Sequence, residues 1–333
     1  MADTIVEKYY KHVAKQAGKP WPQHANRCSS IGFPCVRKLV YDLVRRDALP
    51  DIDPGLQVIF NEGNRQELII QRDLLDMGVE IIEQQSEVSF PQHRLFGHID
   101  GMWVQSRVRR VVDFKTMSQY SFQGVQELSD FNKHYWHLAY IGQMNLYIYG
   151  KGVKRGFFLC KNKNTGELKQ FDVELDMKIV KDCFKKCDYI NVIVDEIKAM
   201  LLEQYQIHDI ADFKQEDDFT DYLAIKNEIA QVIEDKLPER LNKDEICQYC
   251  PYRTICLPDE YREAHARVLI DTKLEAILDK RHPLKIVKKE FDTVDKQAKD
   301  IIKAANLDYF VCGNYEVKVK RGKKITVNID PIE

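Results

Sequence analysis

Two short segments carry residue types whose spacing suits hydrolytic or metal chemistry. The first is Gly97-His98-Ile99-Asp100-Gly101 followed by Val111-Val112-Asp113-Phe114-Lys115-Thr116. On a strand, side chains two apart share a face, so Asp113 and Lys115 point together while Phe114 points to the opposite, buried side. If residues 105 to 108 form a loop, Asp100 and Asp113 are mirrored about it and oppose each other across a hairpin. Like charges placed this way destabilise a sheet unless one is protonated or a cation lies between them. A hard divalent ion with open water positions, magnesium or manganese, suits such oxygen ligands. Beside it Lys115 could hold a nucleophilic water or neutralise a phosphate oxygen. The competing reading is a surface hairpin whose acids pair with Arg107, Arg109 or Arg110. Asp-x-Lys alone decides nothing, because Asp176-Met177-Lys178, Asp212-Phe213-Lys214 and Asp271-Thr272-Lys273 occur in the same chain without the paired-strand setting.

The second segment is Cys247-Gln248-Tyr249-Cys250-Pro251-Tyr252-Arg253-Thr254-Ile255-Cys256. It supplies three soft ligands, one short of a closed four-thiolate site. Cys35, within Pro34-Cys35-Val36-Arg37-Lys38-Leu39, is the choice for the fourth, with Cys28 as its substitute. Zinc and an iron–sulfur cluster both accept four thiolates, and spacing does not choose between them; ordinary buried thiols are the bland alternative. The chain has nine cysteines, and its first 25 residues contain no apolar export-type run. Reduced thiols, metal ligands or core residues are therefore expected. Cys183 and Cys187 share a helical face and read as core.

Two further elements bear on the carboxylates. Glu67, in Gly63-Asn64-Arg65-Gln66-Glu67, lies on the preceding helix and could complete a coordination set, although by itself an exposed helical Glu is the simpler reading. Gln143 and Tyr147 are four apart on a later helix and lie on one face. They offer an amide and a phenol to a nucleic-acid strand, while spacing alone favours a core role for Tyr147.

Apolar spacing from Leu56 to Met77 predicts a helix ending before Gly78. Val79–Ile82, Glu87–Phe90, Leu95–Val104 and Arg109–Thr116 read as strands of a small antiparallel meander. Tyr135–Tyr149 returns to a helix closed by Gly150, and Gly156–Lys161 and Leu168–Leu175 flank a turn at Asn164-Thr165-Gly166. Met177–Leu237 reads as mostly helical with an acid-rich solvated face. After Pro258 a helical stretch runs to Ala305 with a break at Pro283, and a hairpin follows whose turn is Arg321-Gly322-Lys323-Lys324. That turn is read either as a solvated cap or as a grip on duplex DNA. This is an α/β or α+β core.

Across 333 residues, hydrophobic side chains make up 44% and charged ones 31%, with 50 Lys and Arg against 52 Asp and Glu. No apolar run approaches the roughly 18 residues of a membrane span. The balance excludes a membrane protein, a secreted disulfide scaffold and a disordered tail protein, and the net charge of -2 announces no nucleic-acid partner. Locally, Lys151, Lys154, Arg155, Lys161, Lys163 and Lys169 against Glu167 make residues 151 to 170 basic enough to track a phosphate backbone, a solvated face being the competing reading.

Taken together and in order, these pieces resemble the iron–sulfur branch of the PD-(D/E)XK nucleases, the RecB-type enzymes that include CRISPR-associated iron–sulfur exonucleases and phage relatives. The matching run is Cys35 before Arg37-Lys38, Glu67, Gly97 to Asp100, Asp113 with Lys115, Gln143 with Tyr147, and the terminal Cys triad. The resemblance implies a restriction-endonuclease-like α/β core, a central mixed sheet flanked by helices, with a helical iron–sulfur region. It implies a nuclease domain over 1–262 and a helix-plus-hairpin extension over 263–333. Metal would be held by Glu67, Asp100, Asp113 and the Phe114 backbone carbonyl, with Lys115 acting at the water or phosphate. Cys35, Cys247, Cys250 and Cys256 would carry a [4Fe-4S] cluster, zinc being the alternative. Glu67 departs from the His found in many CRISPR-associated members and agrees with lambda-type exonucleases. The implied activity is a Mg2+- or Mn2+-dependent deoxyribonuclease, an exonuclease on single-stranded DNA or duplex ends, in recombination, repair or phage DNA processing. Implied partners are DNA and a recombinase, single-strand-binding protein or helicase, in the cytoplasm of the cell or phage host. The rival classes are a non-catalytic nucleic-acid-binding module and a subunit active only within a helicase or CRISPR adaptation complex.

Overall fold

The computed structural model describes residues 4–17, 23–49, 52–208, 210, 219–241, 243–257, 267–268, 274, 277–278, 280–281, 288–305, 307–321 and 325–331. The chain divides into two units, one of Trp21–Leu49 and Ile59–Cys250, the other of Met1–Pro20, Pro50–Val58 and Pro251–Glu333. Among the described residues no helix is long and apolar enough to cross a membrane.

In the larger unit the strands are β1 (Asn26–Arg27), β2 (Ile81–Ile82), β3 (Glu87–Phe90), β4 (Leu95–His98), β5 (Gly101–Gln105), β6 (Val108–Met117), β7 (Arg155–Asn162) and β8 (Leu168–Glu174). They form a three-stranded sheet in the order β1-β4-β3 and a five-stranded sheet in the order β2-β5-β6-β7-β8. In the larger sheet β6 and β7 are parallel and the other pairs antiparallel. The result is a mixed α/β fold consistent with a restriction-endonuclease-like core. Between β6 and β7 the chain crosses over through the helix Tyr140–Gly150, as a parallel pair requires.

Alternation along β6 sorts its side chains between two cores. Val111 and Met117 face a large core that includes Met144 and Ile148 of the crossover helix, while Val112 and Phe114 face a smaller cluster with Ile70, Phe157 and Leu159. Ile70 belongs to the helix Pro54–Asp76 and is its one buried residue, so this helix covers the Phe114 side of the sheet. Asp113 and Lys115 consequently share the crossover-helix side. The β5–β6 hairpin turns through Ser106 and Arg107, both at positive φ, in the conformation a two-residue hairpin favours.

The strand reading for 95–104 needs correction. The run breaks at Ile99 and Asp100, where the chain leaves the β1-β4-β3 sheet and enters the five-stranded one, so there is no single meander. Buried Ile99 donates its N–H to the Ser86 carbonyl at 3.1 Å at this switch. The loop expected at 105–108 is also shorter, because Gln105 pairs with Val108, yet the mirrored register is unchanged. The helix expected from Tyr135 begins with a 3-10 turn, Tyr135–His137, and becomes α-helical only at Tyr140.

The helices Met177–Tyr205 and Phe219–Lys236 fill most of the stretch expected to be helical. Glu234 of the latter receives Arg37 and the Tyr41 hydroxyl, tying it to the helix Val36–Val44. Arg45 lies 3.6 Å from the same carboxylate.

The smaller unit holds β9 (Arg267–Val268), β10 (Tyr309–Cys312), β11 (Tyr315–Arg321) and β12 (Ile325–Pro331) in the order β12-β11-β10-β9. The expected hairpin is β11–β12, and it is part of a sheet whose Phe310, Val317 and Ile329 pack with Ala298 and Ile302 of the helix Lys288–Ala305. Strand β9 interrupts the helical stretch expected after Pro258. The turn residues 322–324 and the expected break at Pro283 lie outside the described residues.

Candidate active site

Asp113 is 1% exposed and Gln143, reaching from the crossover helix, is 6% exposed. Gln143 Nε2 donates to Asp113 Oδ1 at 3.2 Å and to the Tyr147 hydroxyl at 3.3 Å. The other carboxylate oxygen, Oδ2, makes no hydrogen bond of proper geometry and is met by the Lys115 ammonium at 2.5 Å. Lys115 also donates to Gln143 Oε1 at 3.5 Å and sits 4.4 Å from the centre of the Tyr140 ring. Burial works against its charge, but Asp113, Tyr140 and Asp100 outweigh burial and raise its pKa.

Asp100 stands just beyond the last ladder pair, Gly101 with Val112. Rather than opposing Asp113 within the ladder, it turns Oδ2 to the Phe114 N–H at 2.7 Å. Burial, with the Asp113 charge next, pushes its carboxyl up to about 7, against the pull of Lys115. Glu67 lies within reach of the same charges: burial and Asp113 raise its pKa while Lys115 lowers it. Three carboxylates from a helix, a sheet switch and a strand therefore feel one another. Two of the three arginines considered as their partners are engaged elsewhere, Arg109 with Glu83 and Arg110 with Asp172 at 3.6 Å.

Gly97 of the Gly-x-x-Asp segment has a packing reason. A Cβ there would lie 2.7 Å from Cys28 Cβ and 2.8 Å from Tyr147 Cε1, so only glycine lets β4 pass and deliver Asp100.

The donor chemistry suits a hard divalent cation: all three side chains offer oxygen, Glu67 and Asp100 are held up in pKa by burial first and by the Asp113 charge second, and Asp113 Oδ2 is buried without a well-directed donor. Among the described residues, however, no three His, Cys, Asp or Glu side chains are gathered closely enough to hold a metal ion. The ammonium of Lys115 takes one face of Asp113, and the Phe114 amide takes one oxygen of Asp100.

Gln143 and Tyr147, expected to face a nucleic-acid strand, are buried, Tyr147 at 2% exposure in the main core. The amide orients Asp113 instead. Sequence reading missed Tyr140 and His137. Tyr140 lies three residues before Gln143 and seven before Tyr147, a helical-face spacing that would have marked it. His137 stacks on Tyr140 at 5.2 Å.

The cysteines form two groups in the larger unit. Cys28 packs near Cys183 and Cys187, all three buried. Burial first, then the neighbouring Cys183, pushes the Cys28 thiol up to about 12. Cys35 instead lies within electrostatic reach of Cys247, and its thiol is raised chiefly by burial. The Tyr135 hydroxyl is raised by burial and then by Cys250, Asp42, Cys35 and Cys247 in turn. Cys256 falls in the smaller unit, where its N–H bonds the Tyr252 carbonyl at 2.8 Å.

Of the basic stretch, Lys169 donates to the Phe122 and Val125 carbonyls, Arg155 pairs with Glu174, and Lys151 binds Ser86. Lys169 and Lys151 are thereby engaged within the fold, and Arg155 in an exposed surface pair.

The sequence profile of the PD-(D/E)XK nuclease superfamily matches residues 61–257, more than half of the chain and all of the carboxylate residues above. The chain belongs to that superfamily. None of the curated proteins matches its sequence. Among solved structures, LHK-Exo in complex with dAMP is 12% identical, covering 54% of this chain and 93% of its own, with a TM-score of 0.40. The alkaline exonuclease LHK-Exo from Laribacter hongkongensis is 11% identical over 68% of this chain and 99% of its own, at 0.37. SSO0001 is 10% identical over 60% and 92%, at 0.36. These are distant likenesses, and the superfamily assignment rests on the sequence match. Membership of a nuclease superfamily makes this chain a phosphodiester hydrolase by lineage.

Proposed function

We propose that this PD-(D/E)XK protein is a Mg2+- or Mn2+-dependent deoxyribonuclease acting as an exonuclease on single strands or duplex ends. The observation that carries the reading is that Glu67, Asp100 and Asp113 all lie within electrostatic reach of the half-buried ammonium of Lys115, with Gln143 orienting Asp113. Glu67, Asp100, Asp113 and the Phe114 carbonyl would hold the divalent ion, which when bound supplies an activated water and offsets phosphate charge. The chain's own residues do the rest. Lys115, kept protonated by its acidic neighbours, presents a fixed positive charge to a phosphate oxygen in a site screened from bulk water. Gln143 fixes the carboxylate plane of Asp113, and Tyr140 limits where the ammonium can move.

Cys35, Cys247, Cys250 and Cys256 are proposed to carry a [4Fe-4S] cluster. Support comes from their order and spacing in the sequence and from the nearness of Cys35, rather than Cys28, to Cys247. The nuclease domain is proposed to span 1–262, with 263–333 as an extension, and a recombinase, single-strand-binding protein or helicase would work beside it in the cytoplasm.

Digestion of end-labelled single-stranded and duplex DNA, with magnesium, with manganese and with chelator, tests the reading. Metal-dependent loss of nucleotides from an end is expected. Intact DNA under all conditions would leave a binding module instead.

A further inference from the structure

The surface beside the site carries clustered aromatic rings that the carboxylate chemistry does not use. Trp136 is 67% exposed, Tyr249 is 51% exposed and Tyr120 is 81% exposed. Ring centres of Tyr135 and Tyr249 are 5.6 Å apart, those of Trp136 and Tyr249 6.2 Å, and those of Tyr135 and Trp136 4.9 Å. Residues more than a hundred positions apart in sequence are thus brought together with large ring area in solvent. Grouped exposure of this kind marks an interaction surface, whereas a single exposed ring needs no explanation.

The neighbourhood identifies the occupant. Trp136 sits on the 3-10 turn Tyr135–His137, four residues before Tyr140, whose ring supports Lys115. The helix Gln119–Gly124, which bears Tyr120, is tied at its start to Asn162 and Asn164 through Gln119. At its other end Gly124 lies against His134, where an added Cβ would be 3.1 Å from Nε2. The same loop carries Lys163, and Lys161 stands at the end of β7 beside Thr116. Cations for phosphates and ring faces for bases therefore follow one another past the end of the strand that bears Asp113 and Lys115. That alternation is the recognition chemistry of single-stranded nucleic acid: a charged track with stacking platforms that accept any base.

We propose that Trp136 and Tyr249 form a stacking ledge for the unpaired bases of a single strand entering the site, with Tyr120 and Lys163 continuing the track. The identity of the occupant rests on the nuclease reading, and the ledge makes a single strand the bound form of the substrate. Duplex ends would have to open before reaching Lys115.

Fluorescein-labelled oligothymidylate and an abasic strand with the same number of phosphates, each titrated with the full chain in chelator and followed by anisotropy, test this. The base-bearing strand should bind about tenfold or more tighter, the range one or two stacked bases give. Trp136→Ala and Tyr249→Ala should each erase most of that preference while keeping the salt slope, and Trp136→Phe should retain it. Equal binding of the two strands by the wild-type chain overturns the ledge whatever the variants do. Alanine variants that fold, by circular dichroism, and keep the preference overturn it as well. A wild-type chain that degrades DNA with metal but ignores bases sinks only the ledge. One that prefers bases but never cleaves sinks the nuclease reading and leaves a single-strand binder.

Discussion

Lys115 and Asp113 project from the same face of β6 with their charged ends 2.5 Å apart, and Tyr140 bounds the ammonium on another side at 4.4 Å from its ring centre. A lysine fixed this way is a permanent charge within a site whose other members are acids. Replacing Lys115 or Asp113 by Ala should lower cleavage about 100-fold or more while DNA binding changes only a few-fold, because each acts on the reacting phosphate rather than on the bound strand. Single-turnover cleavage beside anisotropy binding checks both; cleavage near the wild-type rate in either variant removes these residues from the site.

Gln143 touches Asp113 without being placed to touch DNA, so its effect should appear in the metal requirement. Gln143→Leu is expected to raise the magnesium concentration for half-maximal cleavage by about 10-fold to 100-fold, the usual effect of losing a ligand's supporting hydrogen bond. An unchanged magnesium titration would make the amide a packing residue. Glu67→Gln should have a smaller effect, eased by manganese, since water can fill a lost carboxylate position.

The two cysteine groups separate colour from stability. Anaerobically purified protein should be brown with about four irons per chain, and Cys250→Ser or Cys35→Ser should bleach it. Cys28→Ser should keep the iron but lose stability, because a hydroxyl would replace a thiol buried against Gly97 and Tyr147. Iron content and thermal melting of the variants decide it. Colourless protein with one zinc, or bleaching by Cys28→Ser alone, would overturn the ligand assignment.

His137 is 4% exposed, and its Nδ1 has no hydrogen-bond partner. Burial, then His134 and Lys115, depress its pKa from 6.5 to about 4. In that window the unfolded chain binds more protons than the folded one, so this histidine makes stability fall as pH drops from 6.5 toward 4 and adds no further slope below. The loss should reach at most about 3.5 kcal/mol at roughly 1.4 kcal/mol per pKa unit. Urea unfolding of the wild type and His137→Phe across pH 4 to 7 measures it as the difference between their slopes. Identical slopes would show that His137 protonates freely in the folded state.

The local chemistry of the site was written in the sequence. Alternation fixed Asp113 and Lys115 on one side of a strand with Phe114 on the other, and a turn centred on Ser106 and Arg107 fixed the mirror that brings Asp100 toward Asp113, since both follow from the period of two and the turn alone. Tertiary structure decided what those residues meet. Asp100 belongs to neither strand of its hairpin ladder, because the chain changes sheets there and hands its carboxylate to the Phe114 amide. Gln143 faces Asp113 rather than solvent because the crossover helix lies on that side of the sheet, a choice helical spacing leaves open. Cys35 and Cys28, equivalent by spacing, part company because Cys28 packs against Gly97, Cys183 and Cys187 while Cys35 begins a helix beside Cys247. Periodicity specifies which side chains share a face. Which partner that face meets depends on packing between segments far apart in the chain, and no local pattern encodes that.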